Sequence, residues 1–125
     1  MSDRALEGRR ILLIEDEYLV ATDLVTALEN AGAVVFGPVS DLERAMDIVG
    51  SRFALDGAVL DINLDGEMVY PAAAVLSEHS VPIVFVTGYE CRSLPEPFAR
   101  NPCLAKPFNE RDLIDALTTI VRTAA

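Results

Sequence analysis

Lysine is almost missing from this chain: of its 125 residues only Lys106 is one, and the other basic side chains are arginine. Acidic residues outnumber basic ones by 20 to 10, for a formal net charge of −10. A field of that sign repels nucleic acid and anionic membrane, both of which reward clustered cations, so neither is expected as a partner. Cysteine is scarce too. Cys91 and Cys103 have neither a metal-ligand spacing nor the density of a disulfide scaffold, and the expectation is two reduced thiols without chemistry. Long apolar runs are absent: stretches such as 81–86 fall far short of the roughly 20 residues that span a bilayer. With no signal peptide at its start, the chain is expected to be soluble and cytoplasmic.

What is present suits one globular domain, since 51% of the residues are apolar and 24% charged. Apolar runs at 11–14, 34–36, 58–60, 83–86 and 103–105 read as five strands separated by helical patterns. Several are apolar at consecutive positions, as strands covered on both faces must be. Leu19, Val20, Leu24, Ala27 and Leu28 recur at helical spacing and stop at Gly32. Ser40 and Glu43 have capping-box spacing ahead of a second helix, Pro71 suits the first turn of a third, and Asn109 is placed to cap the last. His79 falls at the end of the third helix, at the surface. The fourth connection holds Pro95 and Pro97, so it has room for at most a short or distorted helix.

Strands alternating with helices predict a doubly wound α/β fold, (βα)5 and flavodoxin-like, with a five-stranded parallel sheet in the order 2-1-3-4-5 and helices on both faces. Ligands of such folds bind outside the carboxyl ends of the strands. At those ends stand Glu15 and Asp16, then Asp61, then Thr87, then Lys106. Chance polarity would scatter around the sheet, whereas these residues converge on one crevice.

Crowded carboxylates raise one another's pKa unless a cation intervenes. Mg²⁺ answers that need, because it prefers oxygen ligands, which Glu15, Asp16, Asp61 and the main-chain carbonyl of Asn63 can provide. Zinc would call for His or Cys, which the crevice lacks. A phosphoryl group is the anion that a metal, the Lys106 ammonium and the Thr87 hydroxyl would all favour, and Asp61 is then the candidate nucleophile.

The runs "ILLIEDE", "LDINLDG", "VFVTGY" and "LAKPF" together resemble the receiver domain of two-component response regulators, in order and spacing, over residues 10–121. The resemblance implies that Asp61 accepts a phosphoryl group from a kinase or phosphotransfer histidine, with Glu15, Asp16 and Asn63 serving Mg²⁺. It implies that Thr87, Gly88, Lys106 and Asn63 meet the phosphoryl group. It also implies a cis Lys106–Pro107 peptide and a module that catalyses only its own phosphorylation and dephosphorylation. Residues 1–9 are then an N-terminal extension, 10–122 the receiver and 123–125 a tail, with no output domain. Output would pass to an unidentified partner protein, from a monomer or a phosphorylation-dependent dimer, unless the chain is a piece of a hybrid kinase or larger regulator. "VPIVFVTGYE" is also similar to the alphaproteobacterial single-domain subgroup named FAT GUY, with Val86 where that motif has alanine. Members of the subgroup are tied to stress-response signalling. Where many receivers place an aromatic switch residue, this chain has Cys103, with Tyr89 and Thr87 as the other switch candidates.

Two rival chemistries fit less well. A haloacid-dehalogenase-type phosphatase also uses an aspartate, Mg²⁺, Thr and Lys, but needs a second acid where this chain has Asn63. Flavin binding on this fold wants a Gly, Ser and Thr-rich loop after the first strand, where "EDEY" would repel the phosphate. Asp47, Asp56 and Glu67 read as solvated carboxylates.

Overall fold

The computed structural model describes residues 4–51, 54–88 and 91–124. Strands β1 (Arg10–Ile14), β2 (Val34–Val39) and β3 (Gly57–Asp61) precede a short antiparallel hairpin, β4 (Asn63–Leu64) and β5 (Glu67–Met68). Strands β6 (Ile83–Thr87) and β7 (Cys103–Ala105) complete the set, and the helices are α1 (Tyr18–Asn30), α2 (Leu42–Gly50), α3 (Tyr70–Glu78) and α4 (Glu110–Ala124). The main sheet runs β2-β1-β3-β6-β7 with every pairing parallel, which is the predicted order once the hairpin is set aside.

Successive side chains of a strand point to opposite faces, so the consecutive apolar residues of β1 feed two cores. Ile11 and Leu13 pack with Leu24, Ala27 and Leu28 of α1 and Leu113 and Leu117 of α4. Leu12 and Ile14 pack with Ala45 and Val49 of α2 and Ala72, Ala73 and Leu76 of α3. Strands β3 and β6 divide in the same way, Val59, Val84 and Val86 to the first core and Ala58, Leu60, Ile83 and Phe85 to the second. At the N-terminal end Leu6 is buried, and its N–H donates to the Ala31 carbonyl at 2.8 Å.

Several local expectations change. Leu19 is 76% exposed, because the buried stripe of α1 is Ala21, Leu24, Ala27 and Leu28 and Leu19 falls on the other side. The cap of α2 is Asp41, whose Oδ1 accepts from the Arg44 N–H at 2.8 Å, one residue later than the Ser40 spacing indicated. Asp56 is not simply solvated: its Oδ2 accepts from the Arg10 N–H at 2.8 Å and ties the start of β1 to the approach to β3. Asn109 caps α4 as expected, through the Asp112 N–H at 2.8 Å, and Pro71 lies in the first turn of α3. Among the described residues, the fourth connection holds two 3-10 turns, Cys91–Ser93 and Glu96–Phe98, and no longer helix, as its prolines demand.

Edge strand β2 bends at Gly37, where its register against β1 shifts. Gly37 has φ +120°, and a Cβ there would collide with the Leu13 carbonyl oxygen. Gly37→Ala is expected to cost about 1–3 kcal/mol, read as a lower urea midpoint at unchanged slope. An unchanged midpoint would refute the strain.

Candidate functional site

Register alone brings the polar strand ends together. In the parallel ladders Asp61 sits opposite Val86, one residue short of Thr87, and Thr87 sits opposite Ala105, one residue short of Lys106. The Lys106 N–H donates to the Thr87 carbonyl at 2.7 Å. Glu15 leaves β1 with its N–H donating to the Val39 carbonyl at 2.9 Å, which turns its side chain into the group. The outcome is an acidic cluster: carboxylate oxygens of Glu15, Asp16 and Asp61 lie within 4.8 Å of one another. Glu15 is 1% exposed, Asp61 4% and Thr87 2%.

One cation bridges the cluster. Lys106 Nζ lies 3.2 Å from Asp61 Oδ2, 3.2 Å from Glu15 Oε2 and 2.9 Å from Glu17 Oε1. Glu15 Oε2 also accepts from the Glu17 N–H at 3.1 Å. The other oxygen, Oε1, is 3.1 Å from Nζ but outside hydrogen-bond geometry, and it is buried without a hydrogen-bond partner. Burial, reinforced by Asp61, pushes Glu15 up to about 7, against the opposing pull of the Glu17 N–H and Lys106. Burial and Asp61 raise Asp16 as well. Burial works against the charge on Lys106, but Glu17, Asp61 and Glu15 outweigh it and hold the ammonium above its ordinary value.

The chemistry of this cluster suits Mg²⁺. Its donors are carboxylate oxygens, the ligands of a hard cation, and Glu15 Oε1 is buried with no hydrogen bond, its nearest charge being the Lys106 ammonium at 3.1 Å. Charges this close keep their protons or recruit a cation, and a divalent ion lets all three ionise.

Glu15, Asp16, Asp61, Thr87 and Lys106 therefore meet at one end of the sheet, while Gly88 follows Thr87 and is exposed. Asn63 opens the hairpin beyond Asp61, and its Oδ1 accepts from the Gly66 N–H at 2.7 Å. Tyr89 lies outside the described residues. The Lys106–Pro107 peptide is cis, as expected.

Cys103 departs from expectation. It is joined to Cys91 in a disulfide, because the fourth connection brings two residues 12 apart in sequence to a Cα–Cα distance of 5.8 Å. Spacing gave no warning of this, since an irregular segment decides where Cys91 lies. Sequence reasoning also passed over Glu17, although the third acid of "ILLIEDE" was the available signal. It missed Phe98 too, which stacks on Tyr70 at 5.7 Å and meets Phe85 edge-on at 5.5 Å.

The profile of the response regulator receiver domain matches residues 11–118. The chain belongs to this family. The receiver domain is 32% identical over 120 residues to the transcriptional regulatory protein PdtaR of Mycobacterium tuberculosis, covering 90% of this chain and 57% of that protein. It is 38% identical over 105 residues to the phyllosphere-induced regulator PhyR of Methylorubrum extorquens, covering 78% and 38% respectively. The chain thus spans little more than half the length of the first relative and less of the second. Among solved structures, a response regulator receiver protein from Sinorhizobium medicae superposes with a TM-score of 0.81 at 29% identity, over 96% of this chain and 99% of that one. The receiver domain is a module of two-component signalling rather than a conventional enzyme, and its acidic pocket suits a Mg²⁺-assisted phosphoacceptor.

Proposed function

We propose that Asp61 accepts a phosphoryl group from the histidine of a kinase or phosphotransfer protein, and that the acyl phosphate changes which protein this domain binds. The observation that carries the reading is the Glu15, Asp16 and Asp61 cluster, with its oxygens within 4.8 Å, bridged by the Lys106 ammonium. An Asp61 carboxylate oxygen attacks phosphorus in line. The new O–P bond forms as the P–N bond to the donor imidazole breaks, and the nitrogen keeps the electron pair. Glu15, Asp16, Asp61 and the Asn63 carbonyl are the groups that would hold Mg²⁺, which when bound neutralises charge on the phosphoryl oxygens. Lys106 then trades its contact with Asp61 for one with a phosphoryl oxygen, while the Thr87 hydroxyl and the Gly88 N–H serve the others.

The domain acts in the cytoplasm as a single-domain regulator or phosphate sink, in residues 10–122, as a monomer or a phosphorylation-dependent dimer. The likeness to PhyR and the "VFVTGY" run support the FAT GUY subgroup and a stress-response role. A place within a larger regulator is the second reading, favoured by the part of each curated relative that this chain leaves unmatched. The fourth connection, which leaves directly from Thr87 and Gly88, is the surface a partner would read.

Incubation with Mg²⁺ and acetyl phosphate, followed by intact mass and hydroxylamine treatment, tests the assignment. Wild type is expected to gain one hydroxylamine-labile phosphoryl group and Asp61→Asn none. Equal labelling of both would sink the proposal.

A further inference from the structure

The disulfide sits where it can affect the site. Thr87 ends β6, Lys106 follows β7, and the connection between those strands is closed on itself by Cys91 and Cys103. The second half of this connection is anchored without sulfur. Phe98 packs against both Tyr70 and Phe85, the Asn101 side-chain amide donates to the Ile83 carbonyl at 3.1 Å, and the Pro102 carbonyl accepts from the Phe85 N–H at 2.9 Å.

The first half is held differently. Within the described residues 91–94, the Leu94 N–H reaches the Cys91 carbonyl at 3.4 Å. Among the described residues, the packing of Leu94 on the core and the bond to Cys103 are what tie this half to the sheet. Both cysteines are half-buried, so a small thiol can reach them without global unfolding. Disulfides in a reducing compartment are mostly transient ones that carry a signal.

We propose that Cys91 and Cys103 are a reversible redox site for a dithiol reductant, fastening residues 91–94 to the sheet when oxidised and freeing them when reduced. A thiolate of the dithiol attacks one cysteine sulfur, the S–S bond breaks and a mixed disulfide forms. The second thiol of the reagent then displaces the remaining cysteine. Two electrons and two protons pass to Cys91 and Cys103, and the dithiol leaves as its own disulfide. A small disulfide oxidant reverses the exchange. Nothing in the proposal requires phosphorylation of Asp61.

The test uses the folded protein with dithiothreitol, then oxidised glutathione, reading thiols by alkylation mass and mobility by amide exchange. In the oxidised protein both cysteines are expected to resist alkylation. Native reduction should expose both and speed amide exchange at residues 91–94 at least tenfold, with β1 and β3 unchanged and re-oxidation restoring protection. The Cys91→Ser/Cys103→Ser double variant should show the fast pattern and ignore dithiothreitol. Free thiols after oxidation, reduction only upon unfolding, or unchanged exchange on reduction would each overturn the proposal. The wild-type titration decides it even where the double variant fails to fold.

Discussion

Raising the pH from about 5 to about 8 without divalent ions is expected to lower the stability of this domain by about 2–3 kcal/mol, through Glu15 and its buried surroundings. Its carboxyl is pushed from an ordinary 4.5 to about 7 in the folded protein. The folded state therefore holds this proton more tightly than the unfolded chain. Folding gains from it at low pH, and that gain disappears as the pH rises from the unfolded value through the folded one. Asp16, also raised, adds in the same direction. Lys106, held above its ordinary value, contributes stability that is constant across this range and fades only at strongly alkaline pH. Urea midpoints in chelator across the window measure the slope, and Glu15→Gln should flatten most of it. A slope that survives the substitution would place its origin elsewhere. Mg²⁺ competes with the same proton, so its affinity should rise with pH through the same window.

Lys106→Met is expected to cost about 3–5 kcal/mol at a pH near 8 in chelator, the penalty for leaving buried carboxylates without their cation. Lys106 Nζ is within 3.2 Å of both Asp61 and Glu15, neither of which has water enough to compensate. Its third partner, Glu17, is largely exposed and adds little. Two signatures separate lost charge from lost packing. The penalty should shrink on acidification, as Glu15 takes up its proton, and Mg²⁺ should restore more stability to the variant than to wild type. A loss independent of both pH and Mg²⁺ would show that the methylene stem, not the ammonium, matters.

The fold was readable because its cause is local and repeated. Strands such as Ile11 to Ile14 are apolar at every position, which only a sheet sandwiched between helices can bury, and right-handed crossovers leave few orders for five of them. The site was readable for a related reason. In a parallel sheet the residue after each strand goes to the same end, so Asp61, Thr87 and Lys106 were bound to be neighbours once register was set. Legibility failed where geometry depends on irregular backbone. Gly37 and Pro38 in an edge strand, the cap shifted to Asp41, and above all the disulfide across two 3-10 turns follow no period that a sequence displays.

Periodic burial and strand-end chemistry made the parallel sheet, the acidic crevice and the placement of the sole lysine beside it properties of the sequence by itself. Tertiary structure alone decided how the charges are shared. It buried Glu15 more deeply than Asp16, left one of its oxygens without a hydrogen bond, and drew Glu17 to Lys106. It alone paired Cys91 with Cys103, because the approach of two half-buried residues through a proline-interrupted loop depends on where Phe98 and Leu94 find space in the core. Packing of that kind is a property of the assembled molecule, set by distances that no spacing along the chain encodes.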